Sequence, residues 1–384
     1  MLKRVYDNLD KYFWDNRAII LYGPRRIGKT TLVNQYLKDT KLKYRLESGD
    51  NAAFASVMGS QDFDKIFELV EGFDLLVIDE AQKIQNVGMG LKILVDNRPG
   101  MRLVATGSSS FDLSNQVGEP LTGRKNELIL FPMSQLELQD NGINRYDLKK
   151  NLPAYLIYGS YPEVIQAATS VKKKDILNEL INSYLFKDVF ELDKVKNPEV
   201  VSKLLKLLAF QVGSEVSLNE LATKLGIHVA TVSRYLYLLE KSFVIFRLSG
   251  LKRNLRNEVT DKGKYYFYDN GVRNALISQF NGLEHRNDIG PLWENFLMAE
   301  RLKRNSYKKN YCSSYFWRTY EQKEIDLVEE KNGKFSAFEF KWNEKKKLKA
   351  PKDFSENYPN SEFLVVTPEN YLDFVIGSGK SKVS

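Results

Sequence analysis

The sequence predicts an α/β chain: a parallel sheet built around a phosphate-binding loop, then a winged helix-turn-helix, then a small α/β domain. Three stretches carry that prediction. "AIILYGPRRIGKTTLVNQYL", Ala18 to Leu37, joins an apolar run to a helical pattern through G-x-x-x-x-G-K-T. "FDLLVIDEAQKI", Phe73 to Ile84, ends an apolar run on two adjacent carboxylates. "EVSLNELATKLGIHVATVSRYLYLLEKSFVIFRL", Glu215 to Leu248, sets two helical patterns around a glycine and closes on a strand.

Composition bounds the rest. The chain has 384 residues, enough for two or three domains with their own cores. Its 57 Lys and Arg against 49 Asp and Glu give a formal charge of +8, which favours anionic partners such as nucleotides or nucleic acid. A solvated lysine-rich surface accounts for the same number. With Cys312 as the one cysteine there is no internal disulfide, and with only His228 and His285 beside it a Cys/His zinc site is not expected. No apolar run reaches the roughly 18 residues of a membrane helix, and "MLKRVYDNLDKYFWDNR" lacks a signal peptide's apolar centre. A cytoplasmic chain without a membrane partner is expected.

The first element is the loop. Its glycines let the backbone curl so that successive N–H groups face phosphate oxygens, and the helix that follows adds partial positive charge. Gly23, Pro24, Arg25, Arg26, Ile27, Gly28, Lys29, Thr30 and Thr31 are expected to line the phosphates of ATP. Lys29 should reach the β- and γ-phosphates and the Thr30 hydroxyl should ligate Mg²⁺. The second element supplies Asp79, expected to hold the metal through water, and Glu80, expected to polarise the attacking water as general base.

The third element is "MRLVATGSSSFDL", Met101 to Leu113. In P-loop ATPases with a catalytic Glu after the metal Asp, such a strand inserts between the first two. Thr106 and Ser108 alternate onto one face as candidates to touch the γ-phosphate and water. Arg124, in the loop before the strand Glu127 to Phe131, is a candidate γ-phosphate sensor in its own subunit or a finger donated to a neighbour in a homo-oligomer.

"GPRRIGKTTL", "LLVIDEAQKI", "VATGSSS", "LTGR" and "YGSYPEV" together resemble a family of prokaryotic AAA-type ATPases fused to a carboxy-terminal domain of uncharacterised role. The resemblance spans nearly the whole chain and implies an AAA/ASCE-type P-loop sheet. "YGSYPEV" and the later "KYYFYDNGVRNALI" mark the family without a chemistry that their residue types declare.

Residues 135–195 read as a helical lid or connector, with Ile176, Leu177, Leu180, Ile181, Leu185, Val189 and Phe190 at helical spacing. In residues 196–262, a winged helix-turn-helix, Leu218, Leu221, Ala222 and Leu225 form a seam facing Val232, Leu236 and Leu239. On DNA the second helix would enter the major groove with His228, Thr231, Ser233 and Arg234 near its exposed end, and "GLKRNLRNEV" would be a basic wing. The same module serves equally as packing.

Residues 263–384 form the last region. Two strands meet at Asn332-Gly333, a hairpin signal. Asp326 on one, and Glu339 and Lys341 on the other, resemble the D…E-x-K arrangement of the PD-(D/E)xK nuclease fold, with Ile325 where that pattern has proline. The resemblance implies that Glu294, Asp326 and Glu339 hold a divalent metal and that Lys341 orients water. "NEKKKLKAPK" beside it is a candidate phosphate-binding run.

Three functions follow as expectations. The first is an Mg²⁺-dependent ATPase whose nucleotide state controls carboxy-terminal domains acting on DNA. The second is an ATP-licensed, metal-dependent DNA nuclease. The third is a nucleotide-switched module that binds a protein partner.

Overall fold

A computed structural model describes residues 2–107, 120–185, 197–251, 262–319, 321–343 and 348–377. The chain divides into two compact units, the first essentially the chain up to Phe131, the second beginning at Pro132. No helix among the described residues is long and apolar enough to cross a membrane.

The first unit is a parallel sheet of five strands: β1 Ala18–Tyr22, β2 Tyr44–Ser48, β3 Leu75–Asp79, β4 Arg102–Gly107 and β5 Lys125–Ile129. Their spatial order is β2-β3-β4-β1-β5. β4 therefore lies between β1 and β3, as the likeness to P-loop ATPases implies, and Val104 pairs with Ile19 on one side and Val77 on the other. β1 is buried throughout, as a central strand covered on both faces should be. Helices α1 Lys29–Asp39, α2 Ala52–Gly59, α3 Phe63–Leu69 and α4 Val87–Asn97 complete the unit. α1 buries Leu32, Val33, Tyr36 and Leu37 at helical spacing. Gly90 lets α4 approach α2, since a β-carbon there would collide with the Met58 carbonyl.

The second unit carries a seven-stranded sheet: β6 Glu215–Val216, β7 Ile245–Gly250, β8 Gly263–Phe267, β9 Ser313–Arg318, β10 Glu324–Lys331, β11 Lys334–Phe340 and β12 Glu362–Val366. The order is β12-β11-β10-β9-β7-β8-β6, with β7–β9 and β11–β12 parallel and the other pairs antiparallel. β8 pairs with β7 from Ile245↔Phe267 to Leu248↔Lys264, so the expected boundary at 262/263 falls inside a strand pair and one sheet runs across it. Asn332 and Gly333 both have positive φ, 52° and 74°, the twist that a two-residue hairpin turn needs.

Its helices are α5 Gln135–Asp140, α6 Arg145–Lys150, α7 Leu152–Tyr158, α8 Pro162–Gln166, α9 Ser170–Glu179, α10 Pro198–Phe210, α11 Leu218–Leu225, α12 Val229–Lys241, α13 Asn270–Leu276, α14 Ile289–Tyr307, α15 Lys352–Asn357 and α16 Tyr371–Val375. Ile176, Leu177, Leu180 and Ile181 are buried as predicted. The side chains of Leu185, Val189 and Phe190 lie outside the described residues. α11 ends at Gly226 in the left-handed conformation (φ 67°), which glycine adopts without a steric penalty. Leu221, Ala222, Val232, Leu236 and Leu239 are buried, and Leu218 and Leu225 are half-buried.

Candidate functional site

The loop leaves β1 at Gly23, whose φ is 148° and where a β-carbon would collide with the Leu130 carbonyl. Arg26 takes a left-handed φ of 60°, and Gly28, at 92°, opens α1. These two turns curl the segment around the Lys29 side chain. The Lys29 ammonium donates to the Gly23 carbonyl at 2.7 Å and the Pro24 carbonyl at 2.9 Å. Thr30 and Thr31 follow on the exposed first turn of α1.

Thr30 Oγ1 donates to Asp79 Oδ2 at 2.9 Å. Thr106 Oγ1 donates to the other oxygen, Asp79 Oδ1. The Asp79 carboxylate is thus spanned by two hydroxyls, one from the helix after the loop and one from the polar end of β4. The Glu80 backbone N–H donates back to Thr106 Oγ1 at 3.2 Å. Glu80 sits in the left-handed region (φ 53°), ending β3, and its carboxylate accepts from Gln82 Nε2 at 2.6 Å. A magnesium ion requires hard oxygen donors. The Thr30 hydroxyl and Asp79 carboxylate, adjacent at the mouth of the loop, fit that requirement.

Sequence alternation puts Thr106 and Ser108 on one face, both as candidates. Thr106 meets Asp79, whereas Ser108 lies outside the described residues. Arg124 requires a correction. Its carbonyl accepts from Ala18, the first residue of β1, whereas the loop follows the last residue of that strand. Five residues of strand, roughly 16 Å, separate the two ends. Arg124 also pairs with Asp96 of α4 at 2.5 Å. It is therefore on the wrong edge of the sheet to read the γ-phosphate of its own subunit.

Arg4 belongs to this site and has no motif to announce it. Its buried guanidinium donates to the Ile27 carbonyl of the loop and, at 2.5 Å, to the Phe131 carbonyl. One planar fork thereby fixes the loop to the segment beyond β5. A buried arginine near the start of a chain is invisible to spacing, since its partners are backbone carbonyls.

In the second unit the structure gathers Glu294, Asp326, Glu339 and Lys341. Phe340 N–H donates to Asp326 Oδ2 at 2.7 Å, which closes the hairpin as predicted. Lys341 pairs with Glu339 at 2.8 Å, while Phe338 and Phe340 are buried on the other face. Glu294 of α14 accepts from Tyr266 Oη at 2.6 Å. Burial, then the neighbouring charges of Glu294 and Glu339, holds the Asp326 carboxyl well above its ordinary range. The group also includes Lys264 of β8 and Glu324 of β10, which the sequence analysis does not single out. Lys264 donates to Glu324 and stands 3.5 Å from Glu294. Among the described residues no three acidic, histidine or cysteine side chains are arranged to hold a metal. In this structure each carboxylate of the expected metal site takes a protein donor: Glu294 from Tyr266, Asp326 from the Phe340 N–H and Glu339 from Lys341.

The two family markers prove to be halves of one interlock. Ser160 of "YGSYPEV" donates its N–H to Asp269 Oδ2 at 2.7 Å, and Asp269 Oδ1 accepts from Val272 at 3.1 Å. Gly159 lies so close to the Asp269 carboxylate that a β-carbon would strike it. Asn274 donates to the Leu156 and Ile157 carbonyls at 3.0 and 2.8 Å, capping the end of α7. These residues act by satisfying buried backbone groups, so their chemistry is structural.

His228, just before α12, and Ser233 and Arg234 on it are exposed, and Thr231 is half-buried. Most of the expected wing, residues 252–259, and the centre of the run "NEKKKLKAPK", residues 344–347, lie outside the described residues.

Three family models match successive parts of the chain. Residues 15–139 match the family model described as AAA domain. Residues 149–283 and 289–380 match two models described as Domain of unknown function (DUF8612) and Domain of unknown function (DUF4143). The chain is 28% identical over 332 residues to uncharacterized protein Rv2008c of Mycobacterium tuberculosis, aligning 84% of this chain with 70% of that one. Over 332 residues it is 24% identical to uncharacterized protein MJ1544 of Methanocaldococcus jannaschii, with 82% and 72% aligned. Among solved structures, the Thermotoga maritima RuvB Holliday junction branch migration motor is similar at 22% identity and a TM-score of 0.31, covering 60% of this chain and 82% of that one. Loop geometry, strand order and the family match define the first unit as an AAA-type P-loop domain.

Proposed function

We propose that the first unit binds and hydrolyses ATP with Mg²⁺, and that its nucleotide state controls a second unit acting on DNA. The observation that carries the first half is the meeting of Lys29, Thr30, Asp79, Glu80 and Thr106 at one edge of the sheet. In this reading Lys29 exchanges the Gly23 and Pro24 carbonyls for the β- and γ-phosphate oxygens. The loop N–H groups and the start of α1 hold the remaining phosphate charge. Thr30 and Asp79 hold Mg²⁺, which when bound neutralises charge on the phosphates. Glu80 orients and deprotonates the attacking water, and Gln82 holds its carboxylate until then.

The DNA half draws support from α10, β6, α11, α12, β7 and β8. Their order and pairing, with β6 and β7 flanking β8, support the reading of a winged helix, with His228 just before its second helix and Ser233 and Arg234 on it exposed to solvent. Mg²⁺-dependent ATP hydrolysis with and without double-stranded DNA tests both halves. Glu80→Gln should bind ATP and lose at least 100-fold in turnover; full turnover would sink the assignment. Stimulation by DNA that falls with added salt supports the second half. Hydrolysis indifferent to DNA would move the output to a protein partner.

A further inference from the structure

The carboxylate cluster of the second unit has its own cation. Lys264 is 1% exposed, donates to Glu324, and lies 3.5 Å from Glu294 Oε1. Its position is fixed from three elements: β8 carries it, α14 carries Glu294 and β10 carries Glu324. Around it the other acids are already engaged, Asp326 with the Phe340 N–H and Glu339 with Lys341. Glu324 also faces Arg318 at 3.9 Å, and Arg318 reaches Glu215 at 3.1 Å. Buried carboxylates in this number are tolerated only when cations and N–H donors compensate them.

We propose that the Lys264 ammonium is the resident counter-ion of this cluster and occupies Glu294, one of the three carboxylates expected to hold a divalent ion. The native domain then keeps its D…E-x-K constellation closed without metal. An ammonium donates to oxygens at about 2.8 Å, whereas Mg²⁺ and its analogues need them at about 2.1 Å and bring a second charge. The two cannot share the Glu294 carboxylate. Removing the ammonium leaves Glu294 without a cation and Glu324 with Arg318 alone, a charge deficit that a divalent ion answers. This inference is independent of the ATPase reading.

The test measures binding of Mn²⁺ alone, followed through the loss of its free-ion electron paramagnetic resonance signal. It uses the full chain carrying Asp79→Asn, which silences the other expected metal position. With Lys264 present, no Mn²⁺ should bind that depends on Asp326. Lys264→Ala should bind one Mn²⁺ per chain at least 10-fold more tightly, and adding Asp326→Asn should abolish that gain. Asp326-dependent Mn²⁺ binding with Lys264 intact overturns the proposal, as does a folded Lys264→Ala chain that gains none. Should Lys264→Ala fail to fold, thermal melts of Lys264→Met with and without Glu294→Gln decide. Counter-ion pairing requires the double variant to recover part of the melting temperature lost by the single one. Additive losses overturn it.

Discussion

Thr106 donates its hydroxyl to Asp79 while accepting the N–H of Glu80, so one side chain of β4 positions both carboxylate residues at the end of β3. Thr106→Val keeps the shape and removes the hydroxyl. It leaves the Glu80 N–H without that acceptor and frees one oxygen of Asp79. A buried group that loses its partner costs about 1–3 kcal/mol, which is about 5- to 160-fold when the loss falls on the transition state. We expect kcat for ATP to fall by that factor with KM within about threefold, and Thr106→Ser to restore most of it. A pure rise in KM would mean that Thr106 serves binding instead.

Arg4 makes a separate prediction because its partners belong to the loop and to the segment past β5. Arg4→Ala unties the Ile27 carbonyl, and the loop must then be ordered at the expense of nucleotide binding. We expect nucleotide affinity, followed by fluorescent-nucleotide titration, to weaken about 10-fold, in line with about 1.4 kcal/mol of lost preorganisation. Arg4→Lys keeps the charge but cannot span two carbonyls with a planar fork, so it should not rescue affinity. Wild-type affinity in both variants would confine Arg4 to general stability.

What the sequence made legible follows from how each feature is encoded. The loop, the Asp79-Glu80 pair and the Asn332-Gly333 hairpin are local patterns, and each appears where its residues predict; the insertion of β4 follows from the likeness to P-loop ATPases. Thr106 was found by strand alternation, since side chains two apart share a face. Arg124 was misplaced because proximity to a strand in sequence does not say at which end of that strand a residue lies. Lys264 was missed for another reason. A lysine opening the aromatic run "KYYFY" reads as a strand end, and only the sheet pairing of β8 and the crossing of α14 bring Glu294 and Glu324 onto it. Likewise the hold of Asp269 on Ser160 joins motifs more than a hundred residues apart, which no spacing rule connects.

The last prediction concerns acid stability in the second unit. Glu329 of β10 is buried and receives Arg301 through Nε at 2.9 Å and Nη2 at 2.5 Å, with Asn305 adding a bond at 2.6 Å. Burial alone would raise its pKa, but the Arg301 hydrogen bonds and charge, with Asn305, outweigh it and hold the carboxyl below its ordinary value of 4.5. The sign follows. A carboxyl depressed in the folded state binds its proton more weakly there than in the unfolded chain. Its stabilising contribution is therefore fully present above about pH 4.5 and is lost as the pH falls through the folded value. Glu329→Gln leaves the buried Arg301 without its counter-charge, which costs about 3 kcal/mol at neutral pH. We expect the gap in stability between wild type and Glu329→Gln, measured by denaturant melts, to be constant from pH 8 to about 5 and to narrow below about 4.5. The comparison isolates Glu329 from Asp326, whose raised carboxyl pKa acts with the opposite sign and is common to both proteins. A gap that stays constant to pH 3 would show that the pair contributes by packing and not by charge.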